Sequence, residues 1–314
     1  MNNMEQNEYA IVRLDKERIT DLEKLHEAVY NKKPAPDYFS KKYNTAYSGA
    51  AYIGYIAYSN DNIAIAYYGV LPCFIEHDGQ LILAAQSADT MTHPGYRFKG
   101  MFVTLSNKCF ELCKQAGIKL LFGFPNQNSH HGAIKLGWKM TETMDLFVIK
   151  ASGFSFKKFA SKTAFTNNLY NKYVKLVLKK YILPDKGVNS STLKDGYAGV
   201  YRDSNYLQYK SYGPGFVIQL GNAKAWIKIT SNLVVGDIDC SDTKFDDLLL
   251  SIKRIAKKLG IHEIQFHTCQ ATTLHQLFSV KYRAIPSFPV LFQDFGTGIP
   301  LQQIKFTFAD IDIF

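Results

Sequence analysis

Thr92-His93-Pro94-Gly95-Tyr96-Arg97-Phe98-Lys99-Gly100-Met101-Phe102 is the stretch on which the reading of the fold turns. It follows an apolar, β-branched run over 80–90 and precedes residues with helical spacing: Phe102, Leu105, Cys109, Leu112 and Cys113. Gly117 stands where a left-handed residue would close that helix. A strand-to-helix turn is therefore expected over 92–101. Gly100 lets backbone approach a ligand closely, and the first N–H groups of the helix, aided by its dipole, suit a phosphate. Arg97 and Lys99 add positive charge at the same place. Taken alone, Arg-x-x-Gly is a weak signal; the elements on either side decide its weight.

Toward the N-terminus, residues 8–14 read as a strand, and 17–30 as a helix carrying Ile19, Leu22, Leu25 and Val29 on one face. Pro34 and Pro36 end it, and Asp37 can cap a short helix over 37–43. Three strand-like runs follow at 50–58, 62–73 and 80–90. Asn60-Asp61-Asn62 and Asp78-Gly79 supply the turns, which predicts an antiparallel meander. Toward the C-terminus, Ile118–Phe124 reads as a strand ending in Pro125-Asn126-Gln127-Asn128. A short helix, Leu136-Gly137-Trp138 and a last strand over 141–150 complete the pattern. The order β-α-α-β-β-β-α-β-α-β specifies an α/β (α+β) mixed sheet with helices on both faces.

The second half repeats part of this plan. Strand-like runs at 215–220, 224–230 and 233–238 precede a helix over 244–259 and a strand from Glu263 to Thr268. Ala116-Gly117-Ile118-Lys119-Leu120-Leu121-Phe122 aligns by eye with Leu259-Gly260-Ile261-His262-Glu263-Ile264-Gln265-Phe266, one residue longer. A tandem duplication is expected, with domains at 1–150 and 190–314 joined by a segment over 151–189. The turn before the second helix, Ile238-Asp239-Cys240-Ser241-Asp242-Thr243, is acidic where a phosphate cradle would be basic.

Composition excludes several classes. With 46% hydrophobic and 20% charged residues over 314 positions, the chain is neither disordered nor a coiled coil. No apolar run reaches the roughly 18 residues that span a bilayer. The start Met-Asn-Asn-Met-Glu-Gln-Asn-Glu lacks the basic and apolar regions of a signal peptide, so a cytoplasmic protein is expected. The five cysteines (Cys73, Cys109, Cys113, Cys240, Cys269) are odd in number and scattered, which argues against a disulfide framework, and no paired Cys-x-x-Cys spacing suggests zinc. Residues 151–190 hold eight lysines (Lys157, Lys158, Lys162, Lys172, Lys175, Lys179, Lys180, Lys186) against Asp185 alone, interleaved with aromatics. Such a segment suits a linker helix packed on a neighbouring domain, an anionic membrane or RNA.

With the loop, the Gly-Phe-Pro-Asn turn and Leu-Gly-Trp in this order, the chain resembles the GNAT (GCN5-related) acyltransferase superfamily over about 8–150. The family's Arg/Gln-x-x-Gly-x-Gly/Ala loop reads here Arg97-Phe98-Lys99-Gly100-Met101-Phe102, departing at Phe102, whose bulk would crowd a position usually held by a small residue. The resemblance implies acetyl-CoA as co-substrate, no metal, and a pyrophosphate held at 97–102. It further implies a pantetheine arm along Thr90, Met91 and Thr92, where the fourth and fifth strands splay, with Asn126 or Asn128 opposite. The Tyr that many members use as acid is replaced by Ala133. His130, His131 and Ser129 stand nearby as substitutes, and for the base the available acids are Asp89, the favoured candidate, and Glu76 near the turn before the fourth strand. The tail Phe306-Thr307-Phe308-Ala309-Asp310-Ile311-Asp312 resembles that of two-domain members from bacterial polysaccharide clusters, which points to an amino-sugar acceptor.

The expected function is N-acyl transfer from acetyl-CoA to a small-molecule amine acceptor, with no DNA partner. The second domain would wall the acceptor site or form a homodimer, and the basic segment would contact a membrane or a lipid-linked substrate. Two readings stay open beside it: an aminoacyl-tRNA-dependent aminoacyltransferase of the peptidoglycan-bridge type, and a non-catalytic CoA-binding or interaction protein.

Overall fold

Elements form where the apolar period demands them. The computed structural model of the chain describes residues 9–151 and 164–314. The expected basic segment therefore lies partly outside the described residues, Lys157, Lys158 and Lys162 among them. The first half runs β1 (Tyr9–Arg13), α1 (Ile19–Tyr30), α2 (Tyr38–Tyr43), β2 (Ile53–Ser59), β3 (Ala64–His77), β4 (Gln80–Thr92), α3 (Met101–Gln115), β5 (Leu120–Gly123), α4 (Gln127–Lys135) and β6 (Lys139–Lys150). This is the order read from the sequence. The rest comprises α5 (Ala164–Leu178), α6 (Ser191–Lys194), β7 (Gly199–Val200), α7 (Ser204–Lys210), β8 (Gly215–Leu220), β9 (Ala223–Ile229), β10 (Leu233–Asp239), α8 (Phe245–Lys258), β11 (Glu263–Thr268), α9 (Thr273–Ser279) and β12 (Ile285–Asp294).

Two compact units form, each discontinuous in sequence: 1–75, 80–141 and 290–298 in one; 76–79, 142–289 and 299–314 in the other. In the first unit the strand order is β1-β2-β3-β4-β5-β12. β1, β2 and β3 pair antiparallel, β4 pairs β5 in parallel, and β12 pairs β5 antiparallel through Leu291–Asp294. β2 and β3 are almost continuously buried because both faces of the sheet are covered. Ala57 and Tyr68 pack with Leu105, Cys109 and Cys113 of α3 on one face. Their chain neighbours Ile56 and Tyr67 pack with Leu22 and Leu25 of α1 on the other, as a period of two requires. Cys109 and Cys113 are fully buried apolar side chains.

In the second unit the order is β6-β11-β10-β9-β8. β9 and β10 are antiparallel, β10 and β11 parallel, and β6 runs antiparallel to β11 from Asp145 to Lys150. The parallel pair β10–β11 flanked by antiparallel β6 follows the same succession as β4, β5 and β12. β12, from the far half of the sequence, thus follows β5 in the first unit's run of strands, and β6, from the near half, precedes β11 in the second's.

β10 and β11 pair only from Leu233 with Ile264 to Val235 with Phe266, and a bulge at Gly236 follows. The chain's own C-terminal tail runs along the end of β11. Thr307 bridges Thr268, the Cys269 N–H donates to the Phe306 carbonyl at 3.0 Å, and the Phe314 ring lies against Gly236. A Cβ at Gly236 would meet that ring at 2.3 Å, so only glycine fits there. Arg202, itself buried, ties the tail down through Asp310 and β10 through Asp237.

His267 of β11 is sandwiched between Phe288 and Phe308, with ring centroids at 5.0 and 4.7 Å. Its Nδ1 lies 3.1 Å from the Ser287 hydroxyl, which donates to the Met144 carbonyl. Burial pushes its pKa down from 6.5 to about 4. As pH falls, the unfolded chain takes up this proton first. The contribution is therefore complete above the unfolded value of 6.5 and is lost as pH falls toward about 4. The interval is worth about 3 kcal/mol. Urea unfolding at neutral and mildly acid pH checks this: His267→Phe is expected to lose less stability on acidification than the parent. Equal losses would remove His267 from the account.

Candidate active site

β4 outruns its neighbour. Ala84, Ala85 and Gln86 pair with Leu120, Leu121 and Phe122, after which β5 stops at Gly123 while β4 continues to Thr92. From Ser87 to Thr92 no ladder joins β4 to β5, and this stretch contains Thr90, Met91 and Thr92 as the sequence suggests. Met91 is buried, and the two threonines are half-buried. Asp89, in the middle, has φ 50°, a left-handed conformation that costs a non-glycine residue on the order of 1 kcal/mol.

The cost is met by an anchor. The Asp89 carboxylate accepts from the Lys42 ammonium at 2.6 Å and from the Tyr43 hydroxyl at 2.8 Å. Lys42 is fully buried. Burial, with the Asp89 carboxylate beside it, holds the Tyr43 pKa well above the ordinary phenol range, so Tyr43 remains a donor. Both contacts hold β4 at this left-handed residue.

The turn after β4 is built for open backbone. His93 caps it, Nδ1 accepting from the Gly95 N–H at 3.2 Å, and Pro94–Tyr96 forms one turn of 3₁₀ helix. Arg97 is extended and exposed, in no ion pair among the described residues, and Phe98 sits at φ 66° with its side chain wholly in solvent. The Lys99 ammonium lies over the Tyr96 ring at 5.5 Å. Gly100, at φ 74°, caps α3 without any side-chain hydrogen bond to the helix's first N–H groups. A Cβ built on Gly100 would have nothing within 4 Å. Exposed N–H groups, a dipole and two cations meet in open space, which fits a pyrophosphate.

Phe102 does not crowd that turn. Its ring lies edge-on to Tyr68, with centroids 5.9 Å apart, and rests on Gly132 in α4. A Cβ at Gly132 would meet the Phe102 ring at 2.8 Å. The bulk at 102 is matched by an absent side chain at 132, and the expectation of crowding is corrected.

α4 carries the remaining candidates. Asn126 is its N-cap, Oδ1 accepting from the N–H groups of Asn128 and Ser129 at 2.9 and 3.2 Å. That oxygen is committed to turn chemistry. The Asn126 amide nitrogen and the exposed Asn128 side chain make no hydrogen bond to a described residue. The Ser129 hydroxyl donates back to Asn126. His130 is half-buried and His131 exposed. Ala133, where many family members carry Tyr, is buried in the core beneath α3.

Sequence reasoning missed Lys42 and Tyr43, which lie 47 and 46 residues from Asp89, and Ser87 with Tyr68. The Ser87 hydroxyl donates to the Tyr68 phenol at 3.2 Å where β4 leaves β5, and burial keeps that phenol protonated. Among the described residues no group of three His, Cys, Asp or Glu side chains is placed to hold a metal ion, and no helix is long and apolar enough to cross a membrane.

Residues 10–141 match the family model of the acetyltransferase (GNAT) domain. Among solved structures, the chain is similar to a GCN5-related N-acetyltransferase from Kribbella flavida, with a TM-score of 0.58 and 12% identity over 91% of this chain and 71% of that one. It is also similar to one from Anabaena variabilis, with a TM-score of 0.57 and 11% identity over 92% and 73%. At these identities the likeness is one of fold. No curated protein matches the chain. The matched residues contain the β4 edge, the Arg97–Phe102 turn and the cap of α4, so the likeness to the acetyltransferase (GNAT) domain takes in every part of the site described above.

Proposed function

We propose that the first unit transfers an acetyl group from acetyl-CoA to the primary amine of a small acceptor, an amino sugar of polysaccharide biosynthesis being the class favoured by the tail at 306–312. The observation that carries this reading is the unpaired edge of β4 running into a cationic, side-chain-free helix start. Coenzyme A supplies the acyl group as a thioester. Backbone groups of Thr90, Met91 and Thr92 would bind its pantetheine arm in the manner of an added strand. The N–H groups of Gly100, Met101 and Phe102, with Phe98, Arg97 and Lys99 around them, would bind the pyrophosphate.

Asn126 through its amide nitrogen, and Asn128, would touch the arm from the α4 side. His130, the more sheltered of the two histidines, is assigned as proton donor to the departing thiolate, with His131 at the rim and Ser129 orienting Asn126. Asp89 is a positioning residue. The second unit is read as a degenerate repeat without CoA, a reading supported by the tail that lies beside its β10–β11 divergence and by the acidic turn before α8.

A thermal-shift titration with acetyl-CoA and with CoA tests the reading, followed by thiol release in the presence of amino sugars. At about 100 times Kd a ligand adds roughly 2.7 kcal/mol, or about 5–10 °C for a unit of this size. Arg97→Ala with Lys99→Ala is expected to raise Kd about 10–100-fold, since two charge-assisted contacts at an exposed site are removed. No shift at millimolar ligand would sink the proposal.

A further inference from the structure

α5 buries Tyr170, Val174 and Leu178 against the second unit's core and, among the described residues, leaves Leu169, Lys172, Leu176 and Lys179 exposed. That outer side is unusual in holding leucines: Leu169 is 60% and Leu176 71% exposed. Seven residues apart, they share a face, with Lys172 and Lys179 beside them. No acidic residue occurs from 164 to 180. Two phenols seat the helix on the end of α8: the Tyr170 hydroxyl donates to the Leu259 carbonyl at 2.9 Å and that of Tyr173 to the Lys258 carbonyl at 2.7 Å. The end of α8 adds Arg254, Lys257 and Lys258, which line a cleft of about 610 Å³ with Tyr181, whose ring carries the Lys180 ammonium at 4.8 Å. None of these cations forms an ion pair with a described residue.

From this we infer that the α5–α8 face docks on an anionic phospholipid bilayer. Going beyond the transferase reading, this assigns the chain a place at a membrane surface. Cations without counter-ions gather anionic headgroups, the two leucines enter the acyl boundary between them, and the lysine stems lie along the same interface. Charge complementarity selects this occupant. A second copy of the chain docked through the same patch would set lysines against lysines. RNA would need several exposed aromatic platforms, and of the tyrosines on α5 Tyr170 is buried, which leaves Tyr173 as a single one.

The test is co-sedimentation of the full chain with extruded vesicles of phosphatidylcholine alone and of phosphatidylcholine with phosphatidylglycerol, at low and high salt. Salt-sensitive binding to the anionic vesicles is expected. Lys172→Glu with Lys179→Glu should weaken it on the order of 30-fold or more, and Leu169→Ser with Leu176→Ser on the order of tenfold. All four sites are exposed, so unchanged melting temperatures and unchanged acetyl-CoA binding should accompany both losses. Failure to bind anionic vesicles would overturn the proposal, as would binding indifferent to the leucine change or tighter binding to polyuridylate than to vesicles. Self-association in sedimentation velocity that the leucine change abolishes would overturn it in favour of a second copy. Because acetyl-CoA binding is read on the same samples, failure here is distinguishable from failure of the transferase reading.

Discussion

Arg202→Met is expected to lower unfolding free energy by about 3–5 kcal/mol, the loss typical when one partner of a buried ion network is removed. The Arg202 side chain is 1% exposed and those of Asp237 and Asp310 are 0%. Its Nη1 donates to Asp237 at 2.6 Å, and Nη2 donates to Asp310 at 2.7 Å and to the Thr307 hydroxyl at 3.0 Å. Burial works against the charge on Arg202, but the Asp310 and Asp237 carboxylates outweigh it and hold its pKa above the ordinary value. Methionine fills much of the volume and leaves two carboxylates out of water without a cation. Because the three residues join β10 to the tail, melting should fall by about 10 °C. Arg202→Lys should lie between parent and methionine, since a single ammonium cannot serve both carboxylates in the geometry of the fork. Adding Asp237→Asn and Asp310→Asn to Arg202→Met should recover part of the loss. Equal stability of parent and Arg202→Met in urea would refute this account.

Lys42→Met is expected to cost about 2–3 kcal/mol, less than the first because Asp89 remains 19% exposed and can be hydrated in part. It should also act on binding. With the ammonium gone, only Tyr43 holds the Asp89 carboxylate, and the left-handed residue at 89 loses most of what offsets its strain. The β4 edge that would receive the pantetheine arm then relaxes. Acetyl-CoA Kd should rise several-fold although Lys42 is buried outside the proposed contacts. Asp89→Asn in the Lys42→Met background should restore stability more than affinity. A Lys42→Met protein that binds acetyl-CoA like the parent would show that the ion pair is structural only.

Much of the first unit was legible from period and punctuation. Leu22 and Leu25 on α1, the near-continuous apolar runs of β2 and β3, and Gly117 after α3 each report a local requirement that one segment satisfies by itself. The strand-to-helix turn at 92–101 was legible for the same reason. What escaped was set by pairs far apart in sequence. Nothing near Asp89 announces Lys42, and nothing near Phe102 announces that Gly132 will lie beneath it. The places of β6 and β12 escaped because they are set by pairing across the sequence, Asp145–Lys150 with Glu263–Thr268 and Leu291–Asp294 with Leu120–Gly123, which no local pattern reports. Residue chemistry named the histidines of α4 as candidates, but their sheltered and exposed positions are products of packing.

The exchanged strands have a consequence for synthesis. β5 has no permanent neighbour on one side until Leu291–Asp294 arrives, and Thr141 and Val290 are 149 positions apart (290 − 141). At about 5–20 residues per second, the nascent first unit waits roughly 7–30 s with an open strand edge. During that interval β5 can accept a wrong strand, including β6 of its own chain, which the finished protein assigns to β11. The chain must therefore either hold its first half loosely or release a provisional pairing before the last strand leaves the ribosome. In either case its final fold is reached only after β12 has been made.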